Sequence, residues 1–249
     1  MTRISLGIAG SLGTEKAAAL APRLENAGFH ALWINETEGV NALEVAAAAA
    51  RETDRLVVAT GVIAVDRRPA SELLDDLARL EIPEERLVVG VGSGQNRVGA
   101  LARIEQTLAD LREGTTARLA VGALGPKMRR LAAEHADAAV LSWLTPDAAR
   151  MQTAELHERN PRGSAVLYAR TSADPAARSR LEEEAAAYAG FPAYASHFAR
   201  LGIDPLDTVI SSRDDRDPYR GAVDELVLRA VTPGDKVGEY LDFRPLAHS

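Results

Sequence analysis

The chain has 249 residues, which fits one barrel domain of about 250 residues, and its 29 Lys and Arg against 36 Asp and Glu give a formal net charge of -7. This acidic balance argues against a nucleic-acid-binding surface and against attachment to an anionic membrane. Without cysteine, with five scattered histidines, no secretory signal and no run of about 18 apolar residues, the sequence favours a cytoplasmic protein that has neither disulfides nor a metal site.

Short runs rich in Val, Ile and Leu alternate along the chain with longer segments of helical spacing. This alternation is typical of βαβ units and of a parallel sheet. We therefore predict a single α/β domain over residues 1–249, a (β/α)8 TIM barrel. The eight predicted strands cover residues 3–9, 31–35, 56–64, 86–94, 118–124, 138–143, 165–171 and 224–231.

Helical segments are predicted between these strands. Gly28 suits the C-terminal end of the first helix, and Thr145 with Pro146 suit the start of the sixth. The predicted helices lie near residues 14–27, 43–53, 72–80, 98–112 and 126–135, then from Pro146 onward, over much of 174–200 with breaks at Gly190 and Pro192, and near 236–242.

One ambiguity concerns the number of strands. Residues 207–212 could form a ninth strand or a turn of helix, which leaves an open doubly wound sheet as the alternative fold. Against that alternative, no strand-turn-helix carries a complete G-x-G-x-x-G, because Arg97 stands where the third glycine should follow Gly92 and Gly94.

The loops that follow the strands should carry the chemistry, because they meet at one face of a parallel barrel. After the fourth strand, GVGSG contains Gly92, Ser93 and Gly94, which would let a ligand approach the backbone. The alternative is that these glycines only turn a crowded strand into its helix.

The loop after the fifth strand predicts a phosphate site. In ALGPKM, Gly125 turns the chain, Pro126 opens a helix and Lys127 adds a positive charge beside the first free N–H groups. The alternative is a solvated lysine in the first turn. A third loop, TGVIAVDRRPA, has a glycine inside an apolar strand, which indicates a bulge or close ligand approach, or simply packing. Trp33 and Trp143 are interpreted as packing residues rather than cofactor contacts.

Five segments in this order resemble one family. RLENAGFHALWINE, TGVIAVDRRPA, ERLVVGVGSG, ALGPKMRRLAAEHADAAVLSWLTPDAA and VDELVLRAV are similar to segments of the bacterial luciferase-like monooxygenases, a family of flavin- and deazaflavin-dependent oxidoreductases. The block from GPK to LSWLTP looks most like the branch that uses coenzyme F420, with FMN as the alternative cofactor.

The resemblance implies a barrel that holds the cofactor ring at the carboxyl ends of its strands and the phosphate beside the fifth and sixth. It implies a cis peptide in the third-strand bulge, here at Gly61 and Val62, which would lie behind the ring. An acidic position near the ring matches Glu36. The other implied cofactor-binding residues are Gly92, Ser93 and Gly94 in the fourth-strand wall and Gly125, Pro126 and Lys127 in the loop near the phosphate.

Two departures limit what the resemblance implies. Relatives that oxidise sugar phosphates carry a histidine and a glutamate where this chain has Thr37 and Gln95, which are not general acids or bases at neutral pH. The segment between the fourth and fifth strands is also short for the family. No catalytic residue is therefore assigned.

Three functions follow from the sequence. The first is an oxidoreductase that transfers a hydride between coenzyme F420 and a small organic substrate, and the second is a non-catalytic relative that binds a cofactor or oligomerises. The third, an unrelated phosphate-binding barrel enzyme, usually binds phosphate after strands seven and eight, where this chain offers little positive charge. The resemblance and the alanine-rich segment 43–53 suggest a homodimer.

Overall fold

The computed structural model, which describes residues 1–247, is a closed parallel barrel of eight strands. The third strand is interrupted and continues after a short break. The strands are β1 (Arg3–Ala9), β2 (Ala31–Asn35), β3 (Val57–Thr60, then Ile63–Ala64), β4 (Leu87–Gly92), β5 (Arg118–Gly122), β6 (Ala138–Ser142), β7 (Ser164–Thr171) and β8 (Glu225–Ala230).

Closure of the barrel depends on the last strand. β8 pairs in parallel with β7 on one side and with β1 on the other, where Leu6 lies opposite Leu228. The remaining strands pair in chain order, and each segment of β3 pairs with β4. The predicted (β/α)8 barrel is confirmed, and the open doubly wound sheet is excluded.

Helices cover the outside of this barrel. Their ends agree with the expected signals: Gly28 has φ 77° just after the first helix, and the Thr145 side chain accepts a hydrogen bond from Ala148 N. The longer helices are α1 (Thr14–Asn26), α2 (Ala42–Arg51), α3 (Ala70–Leu80), α4 (Ala100–Gly114), α5 (Pro126–His135), α6 (Pro146–Arg159), α7 (Arg178–Gly190) and α8 (Pro192–Leu201); α9 (Arg213–Arg216), α10 (Val237–Tyr240) and α11 (Arg244–Ala247) are short.

The longest connection joins β7 to β8 and contains α7, α8 and α9. The ambiguous segment 207–212 is not a ninth strand, because it consists of the end of a 3-10 turn (Pro205–Thr208) and a single bridge from Ile210 to Thr171. Between β4 and β5 the structure has one helix, α4, as expected. Within residues 1–247, no helix has both the length and the apolar character needed to cross a membrane.

The core has two layers, since strand residues alternate between the helices and the barrel interior. The interior contains Trp33 and Tyr168, whose rings meet edge to face with centroids 5.8 Å apart. The Trp33 indole donates to the buried carboxylate of Glu225 over 2.6 Å. Trp143 is also buried, against Phe198. Both tryptophans are therefore buried packing residues.

The break in β3 is a bulge. Five residues of β3, from Ala59 to Ile63, span the same length as four residues of β4, because Ala59 pairs with Val88 and Ile63 with Val91. The peptide bond between Gly61 and Val62 is cis. Both the bulge and the cis bond agree with the sequence expectations.

Candidate functional site

Polar side chains of four strands converge on the mouth of the barrel at the carboxyl ends. Trp33, Val140, Tyr168 and Val227 belong to the interior layer, so the residues two positions further along also face the barrel axis. These residues are Asn35, Ser142, Arg170 and Arg229. The mouth is therefore polar between β6 and β2 and lined by glycines along β4 and β5.

The glycines of β4 and β5 make room for the bulge. A Cβ atom at Gly92 would lie 2.6 Å from Cγ2 of Val62, and one at Gly122 would lie 3.2 Å from the same methyl group. The Val62 side chain therefore occupies the space that larger residues would need. The structure brings Gly61, Val62 and Gly92 together, and here it favours close packing over ligand approach as the reason for Gly92.

Asp66 holds the loop after β4. Its carboxylate accepts hydrogen bonds from the backbone N–H groups of Gln95 and Asn96, over 2.9 and 3.0 Å. Gly94 has φ 67°, and a Cβ there would collide with this carboxylate. Ser93 is half-buried and its hydroxyl contacts only the adjacent Gly94 carbonyl, at 3.5 Å, so it is available to a ligand.

Glu36 does not face the mouth as an unpaired carboxylate. Its side chain is only 4% exposed and forms an ion pair with Arg68, which also pairs with Asp76 on α3. Asn41, at the start of α2, donates to Asp76 over 2.7 Å. Glu36 thus anchors the β2 loop to α2 and α3 through a charged network, close to the third-strand bulge.

The loop after β5 is open and positively charged. A Cβ at Gly125 would meet nothing within 4 Å, and Pro126 occupies the first turn of α5. Lys127 follows in the same turn and is exposed. Arg200 of α8 donates to the Leu124 carbonyl over 3.0 Å and so lies beside this turn. Free first-turn N–H groups with two cations nearby suit a phosphate.

His197 fixes the position of Arg200. The Arg200 guanidinium lies 2.9 Å from His197 Nδ1, and His197 Nε2 lies 3.1 Å from the Trp143 carbonyl. Since arginine can only donate, Nδ1 accepts and Nε2 carries the hydrogen. Burial lowers the pKa of His197, which keeps the ring neutral at pH 7.

Arg170 fills the mouth between β6 and β7. Its guanidinium lies 4.4 Å from the ring centroids of both Trp143 and Tyr188. It donates to Glu184 of α7 and to Ser142, each over 2.9 Å. Burial alone would raise the pKa of Glu184, but the guanidinium groups of Arg229 and Arg170 hold it below its usual value. This cluster attaches α7 to the barrel.

Arg229 and Tyr168 lie next to the bulge. Arg229 donates to Asn35 Oδ1 over 3.0 Å, and Asn35 donates to the Gly61 carbonyl. The Tyr168 hydroxyl lies in the space where a Gly61 Cβ would be, and among residues 1–247 it has no hydrogen-bond partner. Burial raises the pKa of Tyr168 well above its usual value, so the hydroxyl stays a donor. A buried donor without a partner suits an oxygen or nitrogen of a ligand.

Arg170 and Arg229 are absent from the residues singled out in the sequence, although a signal was present. In SAVLYART and ELVLRA each arginine interrupts an apolar strand in phase with its inward-facing residues. A charge in that position, at the carboxyl end of a barrel strand, points to the mouth.

The family model of the luciferase-like monooxygenases matches residues 3–117, which contain the first four βα units. The resemblance to the luciferase-like family is confirmed. No curated protein matches the sequence.

Several solved structures share this fold over 98% or more of the chain. An F420-dependent secondary alcohol dehydrogenase, in complex with an F420-acetone adduct, has a TM-score of 0.75 at 14% identity and covers 100% of this chain and 99% of its own. A coenzyme F420-dependent tetrahydromethanopterin reductase from Methanopyrus kandleri gives 0.68 at 15% identity, covering 99% and 100%. The oxygenating constituent of 3,6-diketocamphane monooxygenase from Pseudomonas putida, in complex with FMN, gives 0.66 at 14%, covering 98% and 97%.

Proposed function

We propose that this luciferase-like barrel is an oxidoreductase that transfers a hydride between coenzyme F420 and a small organic substrate. The observation that carries the proposal is the open, cationic turn at Gly125, Pro126 and Lys127, which lies on the same face as the bulge at Gly61 and Val62. The similarity in fold to F420-dependent enzymes supports it.

The described residues fit such a cofactor at two places. The first turn of α5, with Lys127 and Arg200, would hold the phosphate-bearing tail. The unpartnered Tyr168 hydroxyl and the Arg229 guanidinium would hold a polar edge of the ring or of the substrate near Gly61. The Ser93 hydroxyl would contact the tail along β4, with Gly92 and Gly94 on either side of it in the chain. When bound, the deazaflavin supplies the hydride acceptor or donor.

The protein's part is to bind, orient and exclude water. Asn35 fixes Arg229 and the Gly61 carbonyl in one arrangement, and Arg170 with Trp143 and Tyr188 covers the side of the mouth next to β6 and β7. Neither Thr37 nor Gln95 is a general acid or base, which speaks against sugar-phosphate oxidation. Reduction of a ketone, an activated alkene or an imine, or the reverse reaction, suits this set of residues better.

A turnover assay tests the enzymatic part of the proposal. Purified protein would be mixed anaerobically with reduced F420 and a panel of small ketones, activated alkenes and imines, and separately with oxidised F420 and secondary alcohols. We expect at least one substrate to change the cofactor absorbance at a rate proportional to protein concentration. F420 binding without turnover across the whole panel would contradict the enzymatic role.

A second candidate is a cofactor-binding protein without catalysis. The observation that favours it is the amount of protein in the mouth itself, where Arg170, Trp143, Tyr188 and Glu184 take up space between β6 and β8. An FMN-dependent monooxygenase is the alternative enzyme, since a flavin monooxygenase shares the fold. Oxygen-dependent turnover with reduced FMN, and none with F420, would favour that alternative.

We also propose a cytoplasmic homodimer, on the resemblance alone. The alanines of α2 contribute nothing to this proposal, since Ala46, Ala47, Ala49 and Ala50 are buried within the chain itself. Light scattering at micromolar concentration should give twice the mass of one chain, and the mass of one chain would contradict the dimer.

A further inference from the structure

A second cleft lies outside the barrel, between α5 and α6. Here the two helices part over the outer face of β6 and leave a cleft of about 200 Å³. The cleft lies on the wall of the barrel, whereas the candidate cofactor site lies at its mouth. Its lining residues are Pro126, Arg129, Arg130, Ala139, Leu141, Gln152, Glu155, Leu156, Glu158 and Arg159.

One of the three arginines of the cleft, Arg129, has a buried nitrogen that its neighbours leave without an acceptor, whereas Arg130 and Arg159 are exposed. Arg129 donates from Nε and Nη2 to a single oxygen of Glu155, over 3.1 and 2.8 Å, while its buried Nη1 has no partner in the described part of the chain. Arg130 and Arg159 make no hydrogen bond or ion pair with any residue of the described chain. A buried guanidinium nitrogen without an acceptor is unfavourable, so an acceptor that enters the cleft and binds this nitrogen would be stabilised.

The charge of the lining indicates a singly charged anion. Three arginines and two glutamates line the cleft, which leaves one excess positive charge in a chain whose formal net charge is -7. A planar carboxylate matches the fork of a guanidinium, whereas a doubly charged phosphate would also be repelled by Glu155 and Glu158.

The apolar floor of the cleft indicates that the ligand has an apolar part next to its charged group. Ala139 and Leu141 face outward from β6, and Leu156 faces them from α6. The volume has space for roughly seven water-sized groups, which is enough for a short aliphatic chain or one aromatic ring. We propose that the cleft binds a small organic monocarboxylate, with its carboxylate on Arg129 and its apolar part on β6.

Calorimetric titration of the full-length protein with benzoate tests this site. We expect saturable binding at one site per chain, with neutral benzamide and inorganic phosphate each at least about tenfold weaker. Absence of saturable benzoate binding would overturn the proposal. Phosphate binding as tight as benzoate binding would overturn the assignment of an organic anion.

Variants locate the binding. Arg129→Gln should weaken benzoate binding at least about tenfold, while Arg150→Gln on the exposed face of α6 makes the same change in charge outside the cleft and should have no effect. Because Arg129 also joins α5 to α6, Ala139→Leu provides a second test that fills the floor and leaves every arginine in place. Benzoate affinity unchanged in both Arg129→Gln and Ala139→Leu would overturn the proposal.

A competition experiment separates this site from the cofactor site. Pro126 lines the cleft and also opens the helix that carries Lys127, so the two sites are neighbours. Benzoate affinity should be the same with and without saturating F420. Competitive displacement of benzoate by F420 would make the cleft part of the cofactor site and would contradict a separate one. The benzoate titration tests the cleft by itself, so its result remains valid even if the protein does not bind F420.

Discussion

Gly92 in β4 leaves the space that the Val62 side chain of the third-strand bulge occupies. Gly92→Ala would place a methyl group 2.6 Å from Val62 Cγ2, so we expect a loss of stability of about 1 to 3 kcal/mol. Val62→Ala in the same chain should recover part of that loss, because it removes the colliding methyl groups. Urea unfolding of the two single variants and the double variant measures this coupling.

The matched control is Gly125→Ala. Nothing lies within 4 Å of a Cβ at Gly125, and any residue can adopt its φ of -100°. We therefore expect Gly125→Ala to change the stability of the protein by less than about 1 kcal/mol. Independent, additive effects of Gly92→Ala and Val62→Ala would contradict the packing account.

The unpartnered hydroxyl of Tyr168 gives a second prediction. Tyr168→Phe keeps the ring contact with Trp33 and removes a buried donor, so we expect the protein to become more stable by about 1 kcal/mol. For a chain of this size this raises Tm by roughly 2 to 4 °C. F420 binding should weaken, if this hydroxyl contacts the ligand as proposed.

Tyr219→Phe is the control for that variant. The Tyr219 hydroxyl donates to the Leu144 carbonyl over 2.8 Å, so its removal should destabilise the protein by about 1 kcal/mol. Equal destabilisation by the two Tyr→Phe changes would show that the Tyr168 hydroxyl has a partner in solution.

At the scale of elements, α7 is attached to the barrel by charge. Replacing Glu184 with Gln leaves the guanidinium of Arg170 without its counter-charge in a buried place, for which we expect a loss of about 3 to 5 kcal/mol. Glu183→Gln, an exposed change on the same helix, should cost little. Equal stability of these two variants would contradict the anchoring role.

The same carboxylate predicts a dependence on pH. The pKa of Glu184 is lower in the folded chain than its usual value of 4.5, so its contribution to stability is present above that value and is lost as the pH falls through the folded pKa. Between about pH 5 and about pH 3, the unfolding free energy should therefore fall more steeply in the wild type than in Glu184→Gln. Parallel slopes would contradict the lowered pKa.

The elements themselves could be predicted from the sequence. The alternation of apolar strands with helices that have capping residues predicts the order of all eight βα units. Gly61, inside an apolar run, predicts the bulge. The site could be predicted only in part. The pairing of Glu36 with Arg68 depends on how the β2 loop and α3 meet, which a single sequence does not specify.

At the scale of the molecule, the barrel should fold as one cooperative unit. Residues 3–117 match the family model, yet β1 needs β8 and β4 needs β5 to complete their hydrogen bonds. A fragment of residues 1–117 would expose two unpaired strand edges, and we expect it to be unfolded or aggregated. A well-dispersed NMR spectrum from the soluble fragment alone would contradict this prediction.

The central claim is that the mouth of the barrel binds coenzyme F420 through the first turn of α5. A fluorescence titration of cofactor-free protein with F420, and in parallel with FMN, tests it most directly. We predict saturable F420 binding that is tighter than FMN binding, weakened by Lys127→Ala and unchanged by Arg162→Ala, which removes an exposed charge from the loop before β7. No saturable binding of F420 to folded protein, or equal affinity in the Lys127→Ala variant, would contradict the account.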